Sequence, residues 1–272
     1  MISRFPSPSL PRTVSVAPGR TPTTVLDDLP GVEYTEVLSR LHAVLRPATY
    51  FEIGTLAGQS LALASCASIA VDPDYGFVEP SLLSSIFGKP SLALYRMASD
   101  AFFASHDPAA LLGAPIDMAF LDGMHRCEFL LRDFANTERF CRRNSVVILH
   151  DCLPVEAVIA SRTHFAEAPY ETAQAHRGNW WTGDVWRTAL LLKRVRPDLR
   201  IGAFDARPSG LIIVTNLDPS NTELTRDYAR HVDAMLSWRL EDMGLDALLL
   251  ELGVESTDAL ATDERITARY WL

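Results

Sequence analysis

Between Thr49 and Pro73 the chain alternates in a way that leaves few folds open. An apolar run, Tyr50-Phe51-Glu52-Ile53, leads into Gly54-Thr55-Leu56-Ala57-Gly58-Gln59-Ser60, and a second run, Ile69-Ala70-Val71, ends in Asp72-Pro73. This reads as strand, glycine turn, helix, second strand and terminal acid, the first half of a nucleoside-binding α/β unit. Gly54 lets the backbone turn sharply off the strand, and Gly58 permits a close approach at the helix start. An acid ending the second strand accepts hydrogen bonds from both hydroxyls of a ribose. A dinucleotide fingerprint needs G-x-G-x-x-G, whereas this chain carries E-x-G-x-x-x-G. It lacks the close glycine pair that admits a pyrophosphate. The pattern suits a nucleoside cofactor without phosphates, such as S-adenosylmethionine (SAM).

The rest of the chain extends the alternation. Strands are expected near 49–53, 68–72, 93–97, 116–121, 145–150, 199–204 and 210–215. Helices are expected near 32–45, 58–66, 79–86, 100–105, 126–142, 184–195 and 221–239. Strands that alternate with helices imply a parallel sheet. The short connection Arg207-Pro208-Ser209-Gly210 implies a hairpin, so the last strand should run antiparallel. The expected fold is α/β: a doubly wound, mostly parallel, seven-stranded, Rossmann-like sheet. Residues 1–30, rich in proline, read as a flexible arm. Residues 31–240 form the expected domain, with its core at 49–215 and a substrate-side insertion at 152–184. Residues 241–272 are a C-terminal extension.

A net charge of -9 over 272 residues argues against non-specific binding to nucleic acid or to anionic membranes. Cys66, Cys127, Cys141 and Cys152 show no C-x-x-C spacing, and the first three fall in expected helices, so reduced, partly buried thiols are expected. The first 20 residues have no apolar h-region, and a cytoplasmic location is the expectation. The sequence leaves a homo-oligomer open.

In an open parallel sheet, ligands bind at the carboxyl ends of the strands, near the point where strand order reverses. Five polar clusters fall at such ends: Glu52 to Gly54, Asp72, Ser99-Asp100, Asp122-Gly123-Met124-His125 and His150-Asp151. Phe120-Leu121-Asp122-Gly123-Met124-His125 and Val147-Ile148-Leu149-His150-Asp151 give the chain its resemblance to class I SAM-dependent methyltransferases. The similar branch contains macrocin-type and other small-molecule O-methyltransferases. Asp133 and the tract Trp181-Thr182-Gly183-Asp184-Val185-Trp186 support the match.

The resemblance implies SAM as cofactor and a small-molecule acceptor, and the net charge leaves neither nucleic acid nor membrane as an expected partner. The resemblance places Glu52, Gly54 and Gly58 around the methionine part of SAM, with Thr55 and Ser60 also among the cofactor-binding residues. Asp72 would hold the ribose, Ser99 and Asp100 would flank the adenine, and Asp122 would sit beneath the methyl end. Transfer to oxygen requires the acceptor hydroxyl to lose its proton, so a histidine titrating near neutrality suits the task. His125 is the candidate base, with Asp122 and His150 as the other catalytic candidates. Asp122 and Asp151, on neighbouring strand ends about 4.8 Å apart, are in reach of one divalent cation, with His150 as a third ligand. Relatives of the catechol type carry Asn or Asp where this chain has Cys152, a poor magnesium ligand. Trp181, Asp184 and Trp186 are the candidate acceptor-binding residues. Two rival readings are a non-catalytic protein that binds SAM or its demethylated product (SAH), and a nicotinamide-dependent oxidoreductase.

Overall fold

The computed structural model describes residues 21–164, 167 and 180–272. Residues 1–20 of the expected arm and most of 165–179 in the expected insertion lie outside the described residues.

Helix α1 (Tyr34–Leu45) carries Val37, Leu38 and Leu41 on one buried face. It ends where Arg46 turns left-handed ahead of Pro47, which cannot continue it. Strands β1 (Thr49–Ile53) and β2 (Ala67–Val71), helix α2 (Pro80–Phe87), strand β3 (Leu92–Tyr95), and helices α3 (Ser99–Ser105) and α4 (Pro108–Leu112) follow. Next come β4 (Ile116–Leu121), α5 (Cys127–Glu138), β5 (Cys141–His150), α6 (Trp186–Val195), β6 (Arg200–Phe204) and β7 (Leu211–Thr215). The chain closes with α7 (Glu223–Arg226), α8 (Tyr228–Ser237), α9 (Leu240–Met243), α10 (Leu245–Leu252), β8 (Val254–Glu255) and α11 (Asp263–Thr267).

The strands form one sheet in the order β3-β2-β1-β4-β5-β7-β6-β8. Strands β1 to β5 pair in parallel, and β7 runs antiparallel to both β5 and β6. Central strands read as unbroken apolar runs because both faces are covered. Phe51, Ile69, Ala119, Val147 and Ile212 point into the core beneath α5 and α6. Tyr50, Ala70, Met118, Ile148 and Ile213 point into the core beneath α1. Strand order reverses between β1 and β4, whose ends align as Ile53↔Leu121, and Leu121 in turn aligns with Leu149. The residues after these three strands therefore meet at one crevice.

Several local expectations are corrected. The helix expected over 58–66 is only a single 3-10 turn, Leu61–Leu63. Gly58 is held at φ +83°, outside helical space, and few residues remain before β2 begins. Cys66 sits in the turn before β2 and Cys141 opens β5, so neither is helical; all four cysteines are free and buried. The sheet has an eighth strand, contributed by the two-residue β8 of the C-terminal extension. In the described part of the arm, Leu26 donates its N–H to Val155 O at 2.8 Å, and Leu29 is buried. Among the described residues, no helix is long and apolar enough to cross a membrane.

A buried charge fixes α5 to the end of α6. The Arg196 guanidinium, 1% exposed, donates to both oxygens of Glu138 at 2.7 and 2.8 Å and also reaches Asp198 at 2.7 Å. Removing one partner of a buried pair strands the other charge. Glu138→Ala is expected to lower unfolding stability by about 3–5 kcal/mol, measured by urea denaturation.

Candidate active site

The loop after β1 is the first wall of the crevice. Gly54 adopts φ +82°, and a Cβ there would lie 1.9 Å from Asp122 O, so only glycine fits between the two strand ends. Leu56 is also left-handed, at φ 41°, a costly conformation for a branched side chain. Asp72 holds this loop in place. Its Oδ2 accepts the N–H groups of Thr55 at 2.7 Å and Leu56 at 2.8 Å, while Oδ1 accepts Asp74 N–H at 2.7 Å. A carboxylate offers about four acceptor sites, so room remains for one further donor. Binding both ribose hydroxyls would require release of a backbone bond. Gly58 faces Ile86 and Phe77, against which a Cβ would clash at 2.6 and 2.9 Å; its smallness serves packing within the protein.

Glu52 is fully buried beneath the loop and accepts the Tyr50 hydroxyl at 2.5 Å. Burial pushes its carboxyl up to about 7, against the opposing pull of the Tyr50, Thr55 and Ser60 hydroxyls. Its Oε1 has no hydrogen-bond partner among the described residues, and neither does Oδ1 of buried Asp133. Burial raises Asp133 to about 7 as well. Such unpaired buried oxygens are costly, and they suit a site that receives a polar ligand. Ser99 opens α3, and Asp100 in its first turn is paired bidentately with Arg132 at 2.7–2.8 Å.

The second wall is a cluster of two carboxylates and two imidazoles. His125 Nε2 lies 3.3 Å from Asp122 Oδ1 and 3.2 Å from Asp151 Oδ2. His150 Nδ1 lies 3.2 Å from Asp122 Oδ1, and its Nε2 is buried without a partner. Asp151 sits at φ 58°, a left-handed conformation that Asp tolerates better than most residues, and accepts the Ser209 hydroxyl. Burial opposes the charged form of His125, but the carboxylates of Asp151 and Asp122 outweigh it and raise its pKa to about 10. The same neighbours raise His150, while the two imidazoles hold Asp122 well below the usual carboxylate range against its desolvation. Without a further cation, His125 is therefore an imidazolium at neutral pH. One ligand atom each from Asp122, His125 and Asp151 lies within 4.8 Å of the others, a donor set that fits a divalent cation. His150, expected as a ligand, falls outside that triple and instead braces Asp122.

The tract after the insertion lies against this cluster. Trp181 stacks on His125 with ring centroids 5.2 Å apart. Asp184 and Trp186 are almost fully buried, and Asp184 is occupied by Arg162, Arg187 and Cys127 N–H. Neither side chain faces open solvent. Sequence reasoning missed Tyr34 at the start of α1, whose ring lies 4.2 Å from that of His150. Burial, together with Asp122, Asp151 and Glu52, raises its hydroxyl. Nothing in the local sequence sets Tyr34 apart, because a crossing of α1 over the sheet brings it there. Ser209, in the turn between β6 and β7, and Arg162, after β5, are likewise brought to the site from segments whose local sequence does not mark them.

Residues 51–152 match the family model described as a methyltransferase domain. The chain matches no curated protein. Among solved structures, it is 17% identical to cofactor-bound Rv0187 from MTB, over 71% of this chain and 83% of that one, with a TM-score of 0.49. It is 16% identical to TomG, an O-methyltransferase from Streptomyces achromogenes involved in tomaymycin synthesis and solved with SAM, over 66% and 78% of the two chains, with a TM-score of 0.47. It is also 16% identical to an O-methyltransferase from Bacillus cereus solved with SAH, over 68% and 83%, with a TM-score of 0.45.

The Glu52 carboxyl makes a pH prediction. Its ordinary value is 4.5 and its folded value about 7, so the folded state holds the proton more tightly. The ligand-free protein thus loses stability as pH rises from about 4.5 through 7, by on the order of 3 kcal/mol. Glu52→Gln is expected to match the parent in thermal melts at pH 4 and to melt higher at pH 8.

Proposed function

We propose that this chain is a class I SAM-dependent methyltransferase that methylates a hydroxyl oxygen of a small-molecule acceptor, a reading supported by the match of residues 51–152 to a methyltransferase-domain model. The observation that carries this reading is the Asp122–His125–Asp151 cluster at the switch point, beside the glycine loop. Bound SAM supplies an electrophilic methyl on a cationic sulfonium. Gly54 lets the ends of β1 and β4 close against each other beside the loop, and Glu52 and Asp133 offer unpaired oxygens nearby. Asp72 holds the loop that defines the pocket and has one acceptor site left for a ribose hydroxyl. Ser99 and Asp100, at the start of α3, are the residues proposed to flank the adenine.

A hydroxyl acceptor must lose a proton as the new bond forms. His125 cannot take that proton while two bare carboxylates keep it protonated. A divalent cation held by Asp122 and Asp151, with His125 in reach, would offset those charges and lower the acceptor pKa. His150 then keeps Asp122 oriented, a supporting role behind the ligand set. Trp181, stacked on His125, would offer the acceptor an aromatic surface beside that histidine. Most of the rate would come from aligning the acceptor oxygen with the sulfonium methyl in a crevice that excludes water.

Calorimetric titration of metal-stripped protein tests the reading. SAM and SAH are expected to bind and NAD is not; failure to bind SAM and SAH under all metal conditions refutes it. Asp72→Ala is expected to weaken SAH at least tenfold, because two backbone N–H groups lose a charged acceptor. Asp151→Asn is expected to leave SAH affinity within threefold while abolishing the heat of manganese binding. Equal manganese heats in both proteins would remove the cation from the mechanism.

A further inference from the structure

The tract Trp181 to Asp184 looks in sequence like an acceptor wall, yet its atoms turn toward the loop that carries His125. The Trp181 carbonyl lies 2.9 Å from His125 Nδ1. A carbonyl has no proton to give, so Nδ1 carries one, and Nε2 is left facing Asp122 and Asp151. Asp184 N–H donates to His125 O at 3.2 Å. The Asp184 carboxylate accepts Cys127 N–H at 2.8 Å, at the first residue of α5. Between these contacts stands Gly183 at φ +58°, where a Cβ would fall 1.7 Å from His125 O. Trp181, Gly183 and Asp184 thus grip the span from His125 to Cys127 at a distance that only glycine permits at 183.

The grip is itself anchored. Arg162 reaches Asp184 at 2.6 Å and both oxygens of Glu128 at 2.6 and 2.9 Å, and Arg187 reaches Asp184 at 2.5 Å. Trp181 Nε1–H donates to Ser161 O at 2.7 Å, and Thr182 N–H donates to Ile159 O at 3.0 Å. The two ends of the insertion are tied together at this neck, and the neck holds the histidine. The Asp184 carboxylate has no solvent-facing surface and already serves two guanidinium groups and a backbone N–H. The Cys127 thiol, 3.6 Å from Oδ2, is a fourth donor, so the roughly four acceptor sites of the carboxylate are taken and it is closed to an acceptor.

We propose that Gly183 and Asp184 are positioning residues that set the His125 imidazole through the backbone of 181–184, and that Asp184 does not contact the acceptor. The proposal rests on His125 belonging to the reacting cluster. Its use to the reaction is geometric: a misplacement of about 1 Å at a reacting group costs about a hundredfold in rate.

The test uses the full chain with 15N-labelled histidine. A ring N–H held by a carbonyl exchanges slowly with water, and His125→Gln assigns its signal by deletion. Gly183→Ala and Asp184→Asn are each expected to speed that exchange at least tenfold, while SAH affinity stays within threefold. If either variant fails to fold, Trp181→Phe replaces it; this change keeps the ring stack, loses the Ser161 anchor, and is expected to speed exchange likewise. Once an acceptor is in hand, the same variants should lower kcat about a hundredfold with the KM for SAM unchanged. Wild-type exchange in a folded variant overturns the proposal. So does loss of SAH binding in step with the N–H signal, which would mean general collapse of the crevice. A parent protein that binds no SAH refutes the methyltransferase reading and leaves the histidine result to be judged on its own.

Discussion

Two carboxylates, Asp122 and Asp151, end neighbouring strands and share one imidazole between them. Like charges this close in a partly buried crevice repel strongly unless positive charge stands with them. In the ligand-free protein His125 and His150 provide it, both driven toward the protonated form by their neighbours. The electrostatics of the crevice therefore depend on cation balance. Whatever positive charge enters, a metal ion or a sulfonium, releases the imidazoles from that duty.

The backbone around the crevice is shaped to the same end. Gly54 allows the ends of β1 and β4 to touch, Asp151 turns left-handed where its carboxylate meets His125 and Ser209, and Gly183 lets the returning chain press on His125. Each is a positive-φ residue at a strand end or on the loop that covers it. Glu52, fully buried beneath them, keeps an acid where desolvation disfavours its charge. These are local costs, carried by a sheet whose apolar faces are both covered.

Much of this was legible from residue order. Unbroken apolar runs marked the central strands, and β1 and β4 fall where the pattern placed them, because strands buried on both faces leave no ambiguity of period. The hairpin at Arg207 to Gly210 foretold the antiparallel β7. The stretch 58–66 reads as a helix because it follows a glycine turn between two strands, while the left-handed Gly58 and the short span to β2 rule one out. The two-residue β8 has no periodicity to detect and exists only because the edge of β6 was available to it.

The sequence alone determined which residues stand at strand ends, since alternation of strand and helix places them there in any parallel sheet. It also fixed the absence of a diphosphate-binding glycine pair. Tertiary structure decided what those residues do to one another. It gave His125 two carboxylate neighbours, turned Asp184 inward onto arginines and the His125 loop, and brought Tyr34 over His150 from a helix 116 positions earlier. Proton affinity and side-chain orientation are set by charges and burial within a few ångströms, and those distances run through space between segments that the chain order keeps far apart.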